Sequence, residues 1–130
     1  MLTAEVSFLR NFLELEKLYS PKFDYSITIE GNITGIFVSP SILLPYVQCG
    51  INAFDNNNEF HLIHIRLNHT NKVICIILEV SGISNNTLLQ KELLKVRDRL
   101  NTLYKDCYQL TATENKSTGK TEMILLLDKK

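Results

Sequence analysis

Between Val73 and Leu78 the chain reads VICIIL, an unbroken apolar run rich in β-branched residues. A run this short, apolar on both faces, belongs to a strand in the middle of a sheet rather than to an exposed edge. Phe60 to Asn68 comes just before it and Lys72 to Val80 contains it, so the two segments form a hairpin around a short turn at His69 to Asn71. With a central hairpin fixed, the other segments must extend the sheet or cover it.

One extension is plain. Phe23, Tyr25, Ile27 and Ile29 alternate with Asp24, Ser26, Thr28 and Glu30, the period of a half-buried strand. Gly31-Asn32 makes a turn, and Ile33 to Val38 reads as a shorter extended piece interrupted by Gly35. Cys107 to Glu114 and Glu122 to Asp128 read as closing strands joined by the turn-rich Asn115 to Lys120. The covering layer is helical. From Thr3 to Leu18, Val6, Leu9 and Leu13 form one apolar stripe beside a second of Phe8, Phe12, Leu15 and Tyr19, which predicts a wide buried face. Ser20-Pro21 ends this helix, since a proline disfavours helical geometry at the residue before it.

Ser39-Pro40 predicts the start of a second helix, with Leu43, Val47, Gly50, Ile51 and Phe54 inward and a bend at Pro45 in its second turn. A third follows the small polar loop Gly82 to Asn86, carried by Leu89, Leu93, Val96, Leu100 and Leu103. Three amphipathic helices and about six strands give an α+β, two-layer α/β sandwich with the helices on one sheet face. At 130 residues this is one domain, residues 1–130.

Composition narrows the function. Fourteen Lys and Arg balance fourteen Asp and Glu without a basic cluster, so nucleic acid is not an expected partner. The longest apolar stretches fall well below the roughly 20 residues that span a bilayer, and no membrane contact by this domain is expected. Cys49, Cys75 and Cys107 are read as reduced thiols, which suits a cytoplasmic location. The sequons at Asn32, Asn68, Asn85 and Asn115 are read as chance. His61, His64 and His69 fall in the central hairpin. His61 and His64 face opposite sides of a strand, so surface histidines are expected rather than metal ligands.

Three local patterns carry a family resemblance. Glu5 to Lys17, EVSFLRNFLELEK, has an acidic start and an asparagine-aromatic-leucine centre; Val38 to Phe54 is VSPSILLPYVQCGINAF; Val96 to Tyr104 is VRDRLNTLY. In that order, around the central hairpin, they resemble the catalytic ATP-binding domain of sensor histidine kinases, in particular the autolysis-regulator branch of the GHKL superfamily. The resemblance implies the Bergerat fold, with a mixed sheet, and covers almost the whole chain.

The residues that would hold nucleotide depart from the family pattern. Where the resemblance expects Glu and a magnesium-binding Asn, the chain has Gln48 and Cys49. An amide cannot serve as a base, and a thiol is a soft ligand for a hard cation. Where the Asp-x-Gly-x-Gly box holds the adenine amino group, the chain has Val80, Ser81, Gly82, Ile83 and Ser84. The glycine-rich lid corresponds to Gln90, Lys91, Glu92 and Leu93, and Glu92 sets negative charge where phosphates would lie. Lys95 stands at the family's lid asparagine, and Gly119, Lys120 and Thr121 remain of a late glycine-threonine box.

The positions carried over for cofactor contact are therefore Gln48, Cys49, Val80, Gly82, Lys95, Lys120 and Thr121, with no catalytic residue and no metal ligand. The resemblance implies a degenerate histidine-kinase ATP-binding domain, a module of two-component-type signalling without productive ATP binding. Its expected partners are a dimerisation domain or a response regulator, with homodimerisation through upstream segments of a longer sensor. The alternative is a divergent active kinase that binds ATP and magnesium through Lys95, Lys120 and Thr121.

Overall fold

A computed structural model describes residues 2–39, 42–54, 60–82, 87–115 and 118–127. Its elements in chain order are α1 (Leu2–Tyr19), β1 (Phe23–Glu30), α2 (Leu43–Asn52), β2 (His61–Thr70), β3 (Val73–Ser81), α3 (Thr87–Leu103), β4 (Tyr108–Asn115) and β5 (Thr118–Leu126). The strands form one sheet in the order β1-β2-β3-β5-β4, so the apolar run of β3 is central. β1 runs parallel to β2 and all other pairs are antiparallel, which makes the sheet mixed. Parallel neighbours require a crossover, and the segment carrying α2 supplies it. The β2–β3 connection is tighter than expected: Thr70 pairs with Val73, leaving Asn71 (φ 48°) and Lys72 (φ 65°) as a two-residue turn. Positive φ at both positions matches the twist of the strands it joins.

Alternation decides which side of the sheet is covered. Ile63, Ile65 and Leu67 of β2, Ile74, Ile76 and Leu78 of β3, and Met123 and Leu125 of β5 are all buried on the helical side. Leu62, Arg66 and Lys120, one position out of phase, are exposed on the other. Against this face α3 buries Leu89, Leu93, Val96 and Leu100, and Arg97 donates to the Leu110 carbonyl at 3.0 Å, tying α3 to β4.

Four expectations are corrected. Among the described residues there are five strands rather than six, because Ile33 to Val38 is a coil with Ile33 and Val38 buried; it accepts the Leu2 N–H at the Ile36 carbonyl, 2.8 Å. α2 starts at Leu43 after Ile42, with Tyr46 N–H to the Ile42 carbonyl (3.0 Å) as its first turn. Pro45 thus lies where backbone N–H groups have no helical acceptor, and it removes no bond. Pro40, expected at the helix start, lies outside the described residues, while the Ser39 N–H donates to the Tyr104 hydroxyl at 2.9 Å.

α1 buries a narrower face than expected. Only Leu2, Val6, Leu9 and Leu13 are buried, because α1 packs on α2 and β1 from one side; Phe8, Leu15 and Tyr19 are exposed and Phe12 is half-buried. β5 begins earlier than expected, at Thr118, although Asn115 to Lys120 reads as a turn: Thr118 to Thr121 pair with Ser81 to Leu78 of β3. Ladder bonds offered by a central strand outweigh weak local strand propensity.

Candidate functional site

Between α2 and α3 lies a cavity of about 170 Å³ lined by Pro45, Gln48, Cys49, Asn52, Glu92, Lys95, Val96 and Arg99. It follows from two helices presenting polar residues at i, i+3 and i+4 across a shared groove: Gln48 and Asn52 from α2, Glu92, Lys95 and Arg99 from α3. Asn52 donates its side-chain amide to Glu92 Oε1 at 3.0 Å, and Lys95 Nζ stands 3.5 Å from the same oxygen. The Glu92 side chain is only 16% exposed, so its carboxylate occupies the groove. Gln90 to Leu93, aligned with a glycine-rich lid, are helical, within α3.

Cys49 is buried beneath these groups, its thiol directed at the carbonyls of Pro45 (3.3 Å) and Glu92 (3.4 Å). Burial first, then the negative Glu92, push the thiol up to about 12 from 9.0. A thiol that stays protonated is a poor nucleophile and a poor metal ligand. Cys49 is therefore expected to resist iodoacetamide at pH 8 in the folded chain and to react only when denatured, which mass spectrometry of the alkylated peptides would read. Rapid labelling of native Cys49 would contradict its burial. The sign for stability follows: the native state keeps its proton above the unfolded pKa, so this contribution is complete below pH 9 and is lost as pH rises toward 12.

The other expected positions are not gathered into this cavity. Val80 is buried beneath α2, and a Cβ built on Gly50 would lie 2.9 Å from its Cγ2, so glycine at position 50 lets the helix approach β3. Gly82 closes β3 with φ +91°. Lys120 lies opposite Glu79 in the β3–β5 ladder, and its alternation with the buried Thr121 puts it on the uncovered face. Thr121 is fully buried and hydrogen-bonded to the Tyr46 hydroxyl, which also donates to the Ile76 carbonyl at 3.3 Å. Of the phosphate-side candidates Lys95, Lys120 and Thr121, Lys95 reaches the α2–α3 groove and the other two do not.

Sequence reasoning missed three participants. Tyr46 is absent from the expected buried stripe of α2, although it falls three residues after Leu43 and four before Gly50, a spacing that admits it. The Asn52–Glu92 contact spans 40 positions and has no local signal. His61, expected at the surface, is buried and stacks on Phe54 with ring centres 4.4 Å apart, whereas His64 lies on the open face 3.7 Å from Glu79. Among the described residues no three His, Cys, Asp or Glu side chains gather as a metal site.

No family model matches the chain, and no characterised protein matches it in sequence. Solved structures do match. The catalytic domain of the histidine kinase ThkA, in a nucleotide-free form, superposes with a TM-score of 0.69 at 13% identity, covering 97% of this chain and 92% of that one. ThkA in complex with the response regulator TrrA gives 0.66 at 14% identity over 98% of this chain and 40% of that one. The Acinetobacter baumannii histidine kinase AdeS gives 0.67 at 10% identity over 98% and 66%. With its mixed five-stranded sheet under three helices, the chain has the fold of the catalytic domain of histidine kinases.

Proposed function

We propose that this chain is a degenerate histidine-kinase-type module of a two-component system, of the autolysis-regulator branch, that signals through protein contact without productive ATP binding. The observation that carries the reading is Glu92. A carboxylate held by Asn52 at 3.0 Å and flanked by Lys95 lines the groove where the resemblance expects phosphates. The volume lined there by the described residues, about 170 Å³, falls below the roughly 300–1,000 Å³ of pockets that enclose small molecules.

Chemistry at the other positions supports the same reading. Cys49 offers magnesium a protonated, buried sulfur in place of a hard oxygen. Val80 offers an adenine amine no acceptor, leaving a buried donor unpaired at about 1–3 kcal/mol. No helix among the described residues is long and apolar enough to cross a membrane, which agrees with a module that works in the cytoplasm. ThkA is crystallised with a response regulator, and a partner of that class, or a dimerisation domain, is proposed here too.

Lys95 and Arg99 both line the groove, and basic side chains there favour a second reading, a divergent kinase whose Glu92 swings aside for ATP. Calorimetry separates the two. Titration of the folded chain with Mg-ATP is expected to give no binding heat, and the full-length protein is expected to incorporate no label from γ-labelled ATP. Micromolar binding together with label on a histidine would replace the first reading with the second.

A further inference from the structure

α1 carries a second apolar stripe that its own domain leaves uncovered. Phe8 (59% exposed), Leu15 (54%) and Tyr19 (84%) lie outward with the half-buried Phe12, and Leu18 (77%) borders them. Isolated surface hydrophobics are ordinary, whereas a continuous row of large ones on one helix marks a contact surface. The spacing identifies the shape of what covers it. Positions 8, 12, 15 and 19 step by four, three and four, the seam along which one helix packs on another. An extended strand, with its period of two, has no such match.

Charge identifies the partner's chemistry. At 100° per residue the charged residues nearest the seam are Glu5 and Glu16, both half-buried, while the basic Arg10 and Lys17 fall on the opposite side of the helix. Lys17 is also engaged by Asp24 at 3.3 Å. Two copies meeting at this face would bring acidic borders together, so a second copy is disfavoured. An independent feature agrees. Glu16 lines a cavity of about 320 Å³ at the C-terminal end of the seam, together with Phe23, Phe54 and His61. Phe54 meets Phe23 edge-on and stacks on His61. A lysine or arginine entering beside the seam would meet the Glu16 carboxylate among aromatic rings that line the same cavity.

We propose that the outer face of α1 docks an amphipathic helix of another protein whose apolar stripe is bordered by Lys or Arg. This goes beyond the nucleotide reading and stands without it, since no α1 residue lines the α2–α3 cavity.

Two synthetic helical peptides of roughly three heptads, sharing one leucine seam and differing only in Lys or Glu at the flanking positions, test it against the intact chain by fluorescence anisotropy. The Lys-flanked peptide is expected to bind at least about tenfold more tightly than the Glu-flanked one. The Leu15→Ser/Tyr19→Ser variant is expected to abolish binding while its circular dichroism stays native. Because that variant alone could lose binding through altered folding, Glu5→Lys/Glu16→Lys provides a second arm and is expected to invert the preference between the peptides. Binding of neither peptide, equal binding that charge reversal leaves unchanged, or sedimentation showing a dimer that Leu15→Ser/Tyr19→Ser dissolves would each overturn the proposal, the last in favour of a second copy.

Discussion

Replacing Tyr46 with alanine is expected to destabilise the domain by about 3–5 kcal/mol, the range for truncating a buried aromatic. Tyr46 is fully buried, and its ring fills the space between α2 and the sheet. Its hydroxyl also bonds to Thr121, itself fully buried, so truncation leaves an orphaned hydroxyl as well as a cavity. Tyr46→Phe keeps the ring and isolates the polar part, for which about 1–3 kcal/mol is expected. Adding Thr121→Val to Tyr46→Phe should recover part of that loss, because removing both partners avoids an unpaired buried group; the double-mutant cycle then reports their coupling. Urea unfolding followed by circular dichroism gives each value. A loss under about 1 kcal/mol for Tyr46→Ala would be incompatible with a buried tyrosine bridging α2 and β5. Burial also raises the phenol far above its ordinary value, so this bridge keeps its proton across the working pH range.

Gly82→Ala is the second large effect, about 3 kcal/mol or more, and it arises from two sources. The residue sits at φ +91°, where a side chain costs about 1–3 kcal/mol in strain. An added Cβ would also lie 2.2 Å from the Phe60 carbonyl oxygen and 3.0 Å from the His61 ring, so the backbone entering β2 must shift. Gly35→Ala separates the terms. Gly35 has φ +81° with no atom within 4 Å of such a Cβ, and its alanine variant should lose only about 1–2 kcal/mol. Equal losses at both positions would remove the steric part of the argument. The comparison bears on function too: Gly82 is required by local geometry, so a glycine where the resemblance expects a nucleotide box gives no support to phosphate binding.

Most elements of the fold were legible in the sequence. Alternation over Phe23 to Glu30 predicts β1 to the residue, and the VICIIL run predicts the sheet's centre, because alternation and unbroken apolarity are local properties of a strand. The candidate site was less legible. Of the seven expected positions, Gln48, Cys49 and Lys95 line one groove, whereas Val80 and Thr121 lie in the core, Gly82 ends β3 and Lys120 lies on the open sheet face.

What the sequence by itself determined is the direction of each side chain relative to its own backbone, since periods of two and 3.6 are written in adjacent residues: three amphipathic helices and a central hairpin. What only the tertiary structure decided is which groups meet. Thr121 reaches Tyr46 across 75 positions, and Glu92 enters the groove beside Asn52. One α1 stripe is covered while its neighbour is left outside. These outcomes depend on the strand order that sets β5 against β3 and on how many sides of a helix have neighbours, and no local pattern encodes either.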